Sequence, residues 1–258
     1  MNSQILIDNK WIDAHNGAHF ERRHPVTKQL ITKSAAADVT DADHAAVSAH
    51  EAFKSWKRSA PSERRRLLLK AADILESKTP QFIEVMAAEV GASALWAGFN
   101  VHLAANVFRE AASLATQIQG ETIPTDKPGA LSMTLRQPVG VIFSIVPWNG
   151  TVVLAARAIA YPIVCGNTVV FRGSEASPKT HALVADALVE AGFPPGVLNY
   201  LSNAPETAPE VVDALIAHKA VRRINFTGST KVGRIIAEKA AKHVKRCLLE
   251  LGGKSPLI

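Results

Sequence analysis

The 258-residue sequence has few of the features that mark secreted or membrane proteins. It contains only two cysteines, Cys165 and Cys247, whereas a disulfide framework in a chain of this size uses more. The longest apolar run, 151–164, is interrupted by Arg157 and is too short to cross a bilayer. The N-terminus has neither the basic segment nor the apolar core of a secretory signal. We therefore predict a cytoplasmic protein without a membrane span.

Metal and nucleic-acid binding are also unsupported. The nine histidines show no ligand spacing such as HExxH, so no metal site is predicted. The formal charge of +6 is spread along the chain, and its densest run, Arg64–Arg66, is expected to form a solvated helix face opposite Leu67–Leu69. Both cysteines lie in apolar segments and are expected to be small core residues.

Apolar residues make up 47% of the chain, which is enough to bury a core. Residues 4–33 resemble short strands, with a hairpin turn at Asn16–Gly17. From a capping Thr40 onward, helical patterns dominate up to Gly120. Residues 121–137 contain a Pro/Gly turn between two extended stretches, which predicts an exposed two-stranded arm.

After Asn149, strand and helix patterns alternate regularly. This alternation predicts an α/β fold, in which a Rossmann-like parallel sheet is flanked by helices. Ligands bind such sheets at the carboxyl ends of the strands. Three segments at predicted strand ends are therefore candidates for a site: RGSE at 172–175, TGSTKVG at 227–233 and ELGG at 250–253.

The TGSTKVG segment combines Gly228 with the capping residues Ser229 and Thr230 and with Gly233 in the helix. A helix N-terminus with free N–H groups and hydroxyls suits a pyrophosphate. The spacing matches neither GxGxxG nor a P-loop. An ordinary strand-to-helix turn is the alternative interpretation.

The RGSE segment places Glu175 three residues after Arg172. An acid at a strand end can bind both ribose hydroxyls and repels a 2′-phosphate, which favours NAD over NADP. The alternative is a surface ion pair between the two residues.

One polar side chain, Asn149, precedes the apolar run, and another, Arg157, interrupts it. Asn149 could stabilise an oxyanion with its amide, or could be only the N-cap of the following helix. Arg157 lies two turns further on the same helix face as Gly150. It is either paired with an acid or lines a pocket.

Glu250 stands among Leu248, Leu249 and Leu251. Desolvation there would favour a carboxylate that acts as a base near neutral pH, and the alternative is a buried acid satisfied by structural partners. Because side chains alternate along a strand, Cys247 should face away from Glu250 and cannot be its nucleophile.

Four motifs in this order, PWN, GNTVV-x-[KR]-x-x-E, FTGST-x-x-G and LELGGK-[SP], resemble the aldehyde dehydrogenase superfamily, and the resemblance extends over essentially the whole chain. It implies that Asn149 is the oxyanion-stabilising amide and Glu250 the general base. It also implies that Glu175 binds the adenosine ribose and that Arg172 replaces a ribose-contacting lysine. Ser229, Gly228 and Gly233 correspond to the pyrophosphate turn. The other motif residues assigned to NAD are Pro147, Trp148, Ser174, Leu251 and Gly252.

The resemblance implies an NAD-binding domain formed by 1–120 and 138–258, an oligomerisation arm at 121–137 and a homo-oligomer. The family's cysteine nucleophile belongs to a later motif, so a catalytic domain is expected after 258. The terminal SPLI is interpreted as part of a strand.

Gly150 and Arg157 replace a common bulky aromatic residue and a common lysine. Both changes resemble members that oxidise aromatic aldehydes such as salicylaldehyde, vanillin or benzaldehyde. Trp96 could stack on the ring, or could be plain core. The alternatives are a non-catalytic dinucleotide-binding module and a relative that acts on aliphatic or semialdehyde substrates.

Overall fold

The computed structural model describes residues 1–255 and divides them into eight α-helices and twelve strands. The strands are β1 (Asn2–Ser3), β2 (Ile5–Ile7), β3 (Lys10–Ile12), β4 (His19–Arg23), β5 (Leu30–Ala35), β6 (Thr122–Ile123), β7 (Ser132–Met133), β8 (Val141–Ile145), β9 (Thr168–Arg172), β10 (Leu198–Leu201), β11 (Val221–Gly228) and β12 (Arg246–Leu251). The helices are α1 (Val39–Trp56), α2 (Pro61–Ser77), α3 (Thr79–Val90), α4 (Ala94–Ser113), α5 (Thr151–Val164), α6 (Pro178–Ala191), α7 (Ala208–Ala217) and α8 (Thr230–Lys242). A 3-10 turn, Leu114–Thr116, follows α4.

A seven-stranded sheet in the order β12-β11-β8-β9-β10-β2-β3 forms the centre of the molecule. The five strands from β12 to β10 are parallel, and β2 and β3 extend the sheet in antiparallel pairing. Every residue of β8, β9 and β10 is buried. Helices cover both faces of a sheet whose strands are buried in this way, as the alternating pattern requires. The predicted α/β fold is confirmed.

Two apolar clusters fill the space between the sheet and its helices. One contains Leu68 of α2, Phe108 of α4 and Ile159 of α5, and the other contains Ala46 of α1 and Ile236 of α8. These five side chains are at most 3% exposed, and the clusters pack against the strands from both faces of the sheet.

The predicted hairpin turn at Asn16–Gly17 is wrong. The first hairpin, β2–β3, turns at Asp8 and Asn9, both of which have positive φ. The turn at Asn16–Gly17 instead connects the large sheet to a separate three-stranded sheet of β1, β5 and β4. Asparagine and aspartate both tolerate the left-handed region, so Asp8–Asn9 and Asn16–Gly17 could each have formed the hairpin turn.

The start of α1 also differs from the prediction. Asp38, rather than Thr40, is the N-cap, and its carboxylate accepts hydrogen bonds from the backbone N–H groups of Thr40 and Asp41. The Asp41 carboxylate in turn accepts a hydrogen bond from the N–H of Asp38, which completes a capping box.

Arg64 does not lie on a solvated helix face as predicted. Its guanidinium is buried and donates to the carbonyls of Lys57 and Ser59, after α1, and of Val164, at the end of α5. Arg65 and Arg66 are exposed, as expected. A cation at two helix C-termini satisfies carbonyls that lack intrahelical partners.

The segment 121–137 forms the predicted exposed two-stranded arm, in which β6 and β7 pair antiparallel. Ser255, the first residue of the terminal SPLI, is outside any strand, and residues 256–258 lie outside the described range. Within residues 1–255, no helix has the length and hydropathy of a membrane span, and no group of three or more His, Cys, Asp or Glu side chains could hold a metal ion.

Candidate cofactor and active site

The carboxyl ends of four adjacent parallel strands meet at one edge of the sheet. Ile145 at the end of β8 pairs with Arg172 of β9 and with Phe226 of β11. Gly228, at the end of β11, pairs with Leu251 of β12. The segments that follow β8, β9, β11 and β12 therefore lie side by side, although they are far apart in the sequence.

A cavity of about 430 Å³ opens at this edge and contains many of the predicted site residues. Its lining consists of Pro147, Trp148, Asn149, Arg157, Thr227, Gly228, Ser229, Glu250, Leu251 and Gly252. The predicted residues outside this lining are Trp96, Gly150, Arg172, Ser174, Glu175 and Gly233. One cavity thus combines the amide, the helix-capping serine and the carboxylate that the motifs predicted to act together.

Ser229 is the N-cap of α8, and its hydroxyl accepts a hydrogen bond from the N–H of Val232 at 3.3 Å. The first-turn N–H groups of such a helix have no intrahelical acceptors and favour an anion. Gly233 lies on the buried side of α8, where an added Cβ would lie 2.6 Å from Leu251 Cδ2. The glycine therefore brings α8 close to β12, beside Glu250.

Gly150, rather than Asn149, is the N-cap of α5. The Asn149 side chain is exposed and forms no hydrogen bond with any of the described residues. This arrangement excludes the capping alternative and leaves both amide N–H donors available. An added Cβ at Gly150 would lie 3.3 Å from side-chain atoms of Leu154 and Val153.

The expected burial of Glu250 is wrong. Glu250 is exposed, and Leu248 and Leu251 beside it are 54% and 39% exposed. The reason is topological: β12 is the edge strand of the sheet, so apolar neighbours in the sequence do not enclose the carboxylate. Glu250 still lines the cavity, and side-chain alternation along β12 places Cys247 and Leu249 against the core on the other face.

Arg157 is exposed and has no ion-pair partner in the part of the chain that the structure describes. It lines the 430 Å³ cavity, which favours the pocket alternative over the structural one. Trp96 lies in the first turn of α4, is 45% exposed and is in ring contact with Phe99 at 5.8 Å. It is therefore not a core residue, and it lies outside the cavity lining.

Glu175 and Arg172 form an ion pair at the end of β9. Arg172 Nη2 donates to Glu175 Oε2 at 3.0 Å, and Arg172 Nε donates to Asn203 Oδ1 at 2.8 Å. Arg172 is buried, whereas the Glu175 side chain is 36% exposed. The Glu175 carboxylate therefore faces solvent, while Arg172 is held in the interior. This arrangement is compatible both with ribose binding by Glu175 and with a structural ion pair between the two residues.

Neither cysteine has the surroundings of a nucleophile. Cys165 is exposed, in contrast to the prediction, because it lies at the C-cap of α5, where the helix reaches a surface groove. Neighbouring atoms displace water and raise the pKa of its thiol. Burial also raises the pKa of the Cys247 thiol, which is partly buried and packs against the core. A reactive cysteine needs the opposite shift.

Sequence reasoning missed two residues behind the RGSE segment. Asn203 holds Arg172, and His181 accepts a hydrogen bond from the N–H of Ser174 at 3.1 Å. A histidine within the apolar run that follows Pro178 was the available signal for His181. Asn203 follows β10, and only the strand order places it beside β9.

The sequence matches the aldehyde dehydrogenase family over residues 11–258. The chain belongs to this family. The resemblance drawn from the four motifs is therefore confirmed. Residues 11–255 of the matched range carry the fold described above.

Individual relatives agree with this assignment. The chain is 72% identical over 258 residues to a salicylaldehyde dehydrogenase of Pseudomonas putida, a match that covers 100% of the chain and 53% of the relative. It is 54% identical over 254 residues to a vanillin dehydrogenase of Pseudomonas fluorescens, covering 98% of the chain and 52% of the relative. The chain spans about half the length of these relatives.

Solved structures give the same result. A salicylaldehyde dehydrogenase from Pseudomonas putida G7, complexed with salicylaldehyde, superposes with a TM-score of 0.98 at 71% identity, covering 99% of this chain and 53% of that one. PnpE in complex with nicotinamide adenine dinucleotide superposes with a TM-score of 0.93 at 36% identity, covering 98% and 52%.

Proposed function

We propose that the protein containing this chain is an NAD-dependent dehydrogenase that oxidises an aromatic aldehyde to the carboxylic acid. The observation that carries the proposal is the single cavity in which Asn149, Ser229 and Glu250 meet at the carboxyl edge of a parallel sheet. Similarity to salicylaldehyde and vanillin dehydrogenases supports an aromatic substrate. The chain supplies the cofactor-binding portion and the general base.

The residues at the sheet edge fit a dinucleotide. The N-terminus of α8, capped by Ser229, suits the pyrophosphate, and the outward-facing carboxylate of Glu175 suits the hydroxyls of the adenosine ribose. Arg172, Gly228 and Gly233 position these two groups. When bound, the dinucleotide supplies the hydride acceptor. A carboxylate at the ribose favours NAD over NADP, and the similar structure of PnpE is a complex with nicotinamide adenine dinucleotide.

Asn149 and Glu250 carry the chemistry that this chain contributes. Attack of a thiolate on the aldehyde carbon creates an oxyanion. The side-chain amide of Asn149, which does not cap α5, donates a hydrogen bond to this oxyanion. After the carbon has lost its hydride, the acyl group remains bound to the sulfur as a thioester. Glu250 removes a proton from water, and the resulting hydroxide attacks the acyl carbon and displaces the thiolate, which releases the acid. The surroundings of Cys165 and Cys247 raise the pKa of both thiols and so disfavour the thiolate form. We therefore assign the thiolate to the later motif that the family resemblance implies.

The other assignments extend this proposal. Gly150 and Arg157 on α5 and Trp96 on α4 would surround the aromatic ring. The arm at 121–137 would pair with another subunit in a homo-oligomer, because three of the four residues in its two short strands are exposed and a two-stranded sheet leaves both strands with an unpaired edge. The remaining residues, 1–120 and 138–258, would form one NAD-binding domain. A cytoplasmic location fits the two unpaired cysteines.

The decisive experiment measures NADH formation by the full-length protein with salicylaldehyde, vanillin, benzaldehyde and an aliphatic aldehyde. We expect the highest kcat/KM with an aromatic aldehyde and with NAD. A preference for aliphatic aldehydes would refute the substrate assignment. Tight NAD binding without turnover of any aldehyde would instead favour the non-catalytic dinucleotide-binding module.

A further inference from the structure

His181 lies directly beneath the segment that joins β9 to α6. It is fully buried, and its Nδ1 accepts a hydrogen bond from the N–H of Ser174 at 3.1 Å. The hydroxyl of Ser177 lies 3.4 Å from the same nitrogen. One side chain of α6 thus contacts the backbone between Arg172 and Glu175.

The helix that carries His181 is itself held in place. The buried carboxylate of Glu89 on α3 accepts hydrogen bonds from the N–H groups of Lys179 and Thr180, each at 2.9 Å. These bonds satisfy donors in the first turn of α6. The position of His181 relative to the segment between β9 and α6 is therefore fixed by α3.

The segment rests on His181 without any intervening space. A Cβ at Gly173 would lie 2.7 Å from His181 Nδ1 and 2.9 Å from Tyr200 Cε2. The ring of Phe171 meets the imidazole edge-on, at 5.4 Å between centroids. Only a glycine allows the backbone to approach these rings so closely, and a shift of the imidazole would move Ser174 and the Glu175 that follows it.

The imidazole is neutral at physiological pH. Burial, together with the positive charge of Arg172, lowers the pKa of His181 to about 3. Because Nδ1 accepts a hydrogen bond, the neutral ring carries its proton on Nε2. Nε2 has no hydrogen-bond partner among residues 1–255, although the backbone of Thr151 lies close to the ring.

An unpaired buried donor destabilises a fold, and an apolar side chain would avoid that cost. The neighbours of His181 on α6 include Ala182, Leu183 and Val184, all of which belong to the core. A histidine at this position therefore contributes something that an apolar residue would not. Its one polar contact of good geometry is the hydrogen bond from Ser174.

We propose that His181 is a positioning residue that holds the backbone of Gly173 and Ser174 so that Glu175 is correctly placed for the adenosine ribose. The inference rests on the proposed function and deepens it. His181 does not contact the cofactor, so its effect is confined to the adenosine half. The nicotinamide half lies at the other end of the dinucleotide and should not depend on this contact.

Three variants of the full-length protein test the proposal. His181→Leu keeps the volume and removes the acceptor, whereas His181→Asn places an amide oxygen near the position of Nδ1. Tyr200→Phe is the matched control, because it removes another buried hydrogen bond beneath the same segment, from the Tyr200 hydroxyl to the carbonyl of Pro178, and leaves the Ser174 contact intact.

The readouts are the dissociation constants of NAD, AMP and nicotinamide mononucleotide, together with kcat at saturating NAD. For His181→Leu we expect AMP and NAD to bind about tenfold more weakly, as the loss of one hydrogen bond predicts. Nicotinamide mononucleotide binding, kcat and the KM for aldehyde should be unchanged. His181→Asn and Tyr200→Phe should bind AMP like the wild type.

Wild-type affinity for AMP in His181→Leu, or equal losses in His181→Leu and His181→Asn, would overturn the proposal. If His181→Leu does not fold, hydrogen exchange of the wild-type protein decides. The Ser174 amide should exchange as slowly as the amides of β9, and exchange at the rate of an unprotected peptide would also overturn it. If the wild type binds neither NAD nor AMP, the proposed function itself fails, which is a separate result.

Discussion

Arg172 and Glu175 are joined by a hydrogen bond of 3.0 Å between Nη2 and Oε2, and only the acid reaches the surface. Arg172 is also held by Asn203, so neither of its two bonded nitrogens is free to move toward a ligand. The Glu175 carboxylate has accepted one bond and keeps lone pairs for two hydroxyl donors. The relationship therefore combines a structural ion pair with a group that can bind a ribose.

Glu175→Gln should change the cofactor preference. The carboxylate binds ribose hydroxyls through charge-assisted hydrogen bonds and repels a 2′-phosphate, so its neutralisation should weaken NAD and relieve the repulsion of NADP. We expect kcat/KM for NAD to fall about tenfold, which corresponds to about 1.4 kcal/mol. The ratio of NADP to NAD activity should increase. The measurement is steady-state kinetics with both cofactors.

The matched control is Glu84→Gln, since Glu84 is an exposed acid on α3. It should change neither kcat/KM value. An unchanged cofactor ratio in Glu175→Gln would mean that the carboxylate serves only its ion pair with Arg172.

Glu250→Gln should uncouple the two halves of the reaction. The amide cannot accept a proton from water, whereas the earlier attack and hydride transfer do not need this residue. We expect a rapid burst of NADH followed by steady-state turnover that is slower by about a hundredfold. Stopped-flow absorbance would measure both phases. Glu238→Gln, at an exposed position on α8, is the control, and loss of the burst in Glu250→Gln would contradict the assigned role.

For the second half of the chain, the order of strands and helices was predicted better than the environments of individual side chains. Regular alternation and Pro or Ser at helix starts located the strands from β8 to β12, because parallel β-α-β units leave few other topologies. Strand ends predicted that the RGSE, TGSTKVG and ELGG segments would share one crevice. Ser229 and Glu250 do line one cavity, whereas Glu175 lies outside its lining. What alternation could not predict was which strand lies at the edge, and this is why Glu250 was expected to be buried.

The environment of a side chain could not be predicted from the sequence where segments distant along the chain determine it. Three consecutive arginines occur in α2, and Arg64 is the buried one because it reaches the carbonyls of Val164 and Lys57 at the ends of α5 and α1. Cys165 lies in an apolar run but at the end of a helix, where the packing stops. Asn203 follows β10 and acts on Arg172 of β9, which requires the three-dimensional order of these two strands.

Arg64→Met should destabilise the protein. The Arg64 guanidinium donates to the carbonyl of Val164 at 3.1 Å and to those of Lys57 and Ser59 at 3.2 and 3.0 Å. Methionine fills part of the volume but leaves these carbonyls without donors, which should lower the free energy of unfolding by about 3 kcal/mol. Urea denaturation would measure the change. Arg65→Met, at the adjacent exposed position, should leave the midpoint unchanged, and equal midpoints for the two variants would contradict the role of Arg64.

His181 should make stability depend on pH in the mildly acidic range. The folded protein has a pKa of about 3 at this residue, whereas a histidine in an unfolded chain has a pKa of about 6.5. Between these values the unfolded chain binds a proton that the folded protein does not, so acidification favours unfolding. The contribution of His181 is therefore complete above about pH 6.5 and decreases by about 1.4 kcal/mol per pH unit down to about pH 3.

The comparison that isolates this effect is between the wild type and His181→Asn, whose amide does not titrate. Urea denaturation at about pH 7 and about pH 5 should show the wild type losing about 2 kcal/mol more than the variant on acidification. His50→Asn replaces an exposed histidine on α1 and should follow the wild-type curve. If the free energies of unfolding of the wild type and His181→Asn depend on pH in the same way, His181 takes up its proton in the folded state. That result would contradict the assignment of a neutral imidazole beneath Ser174.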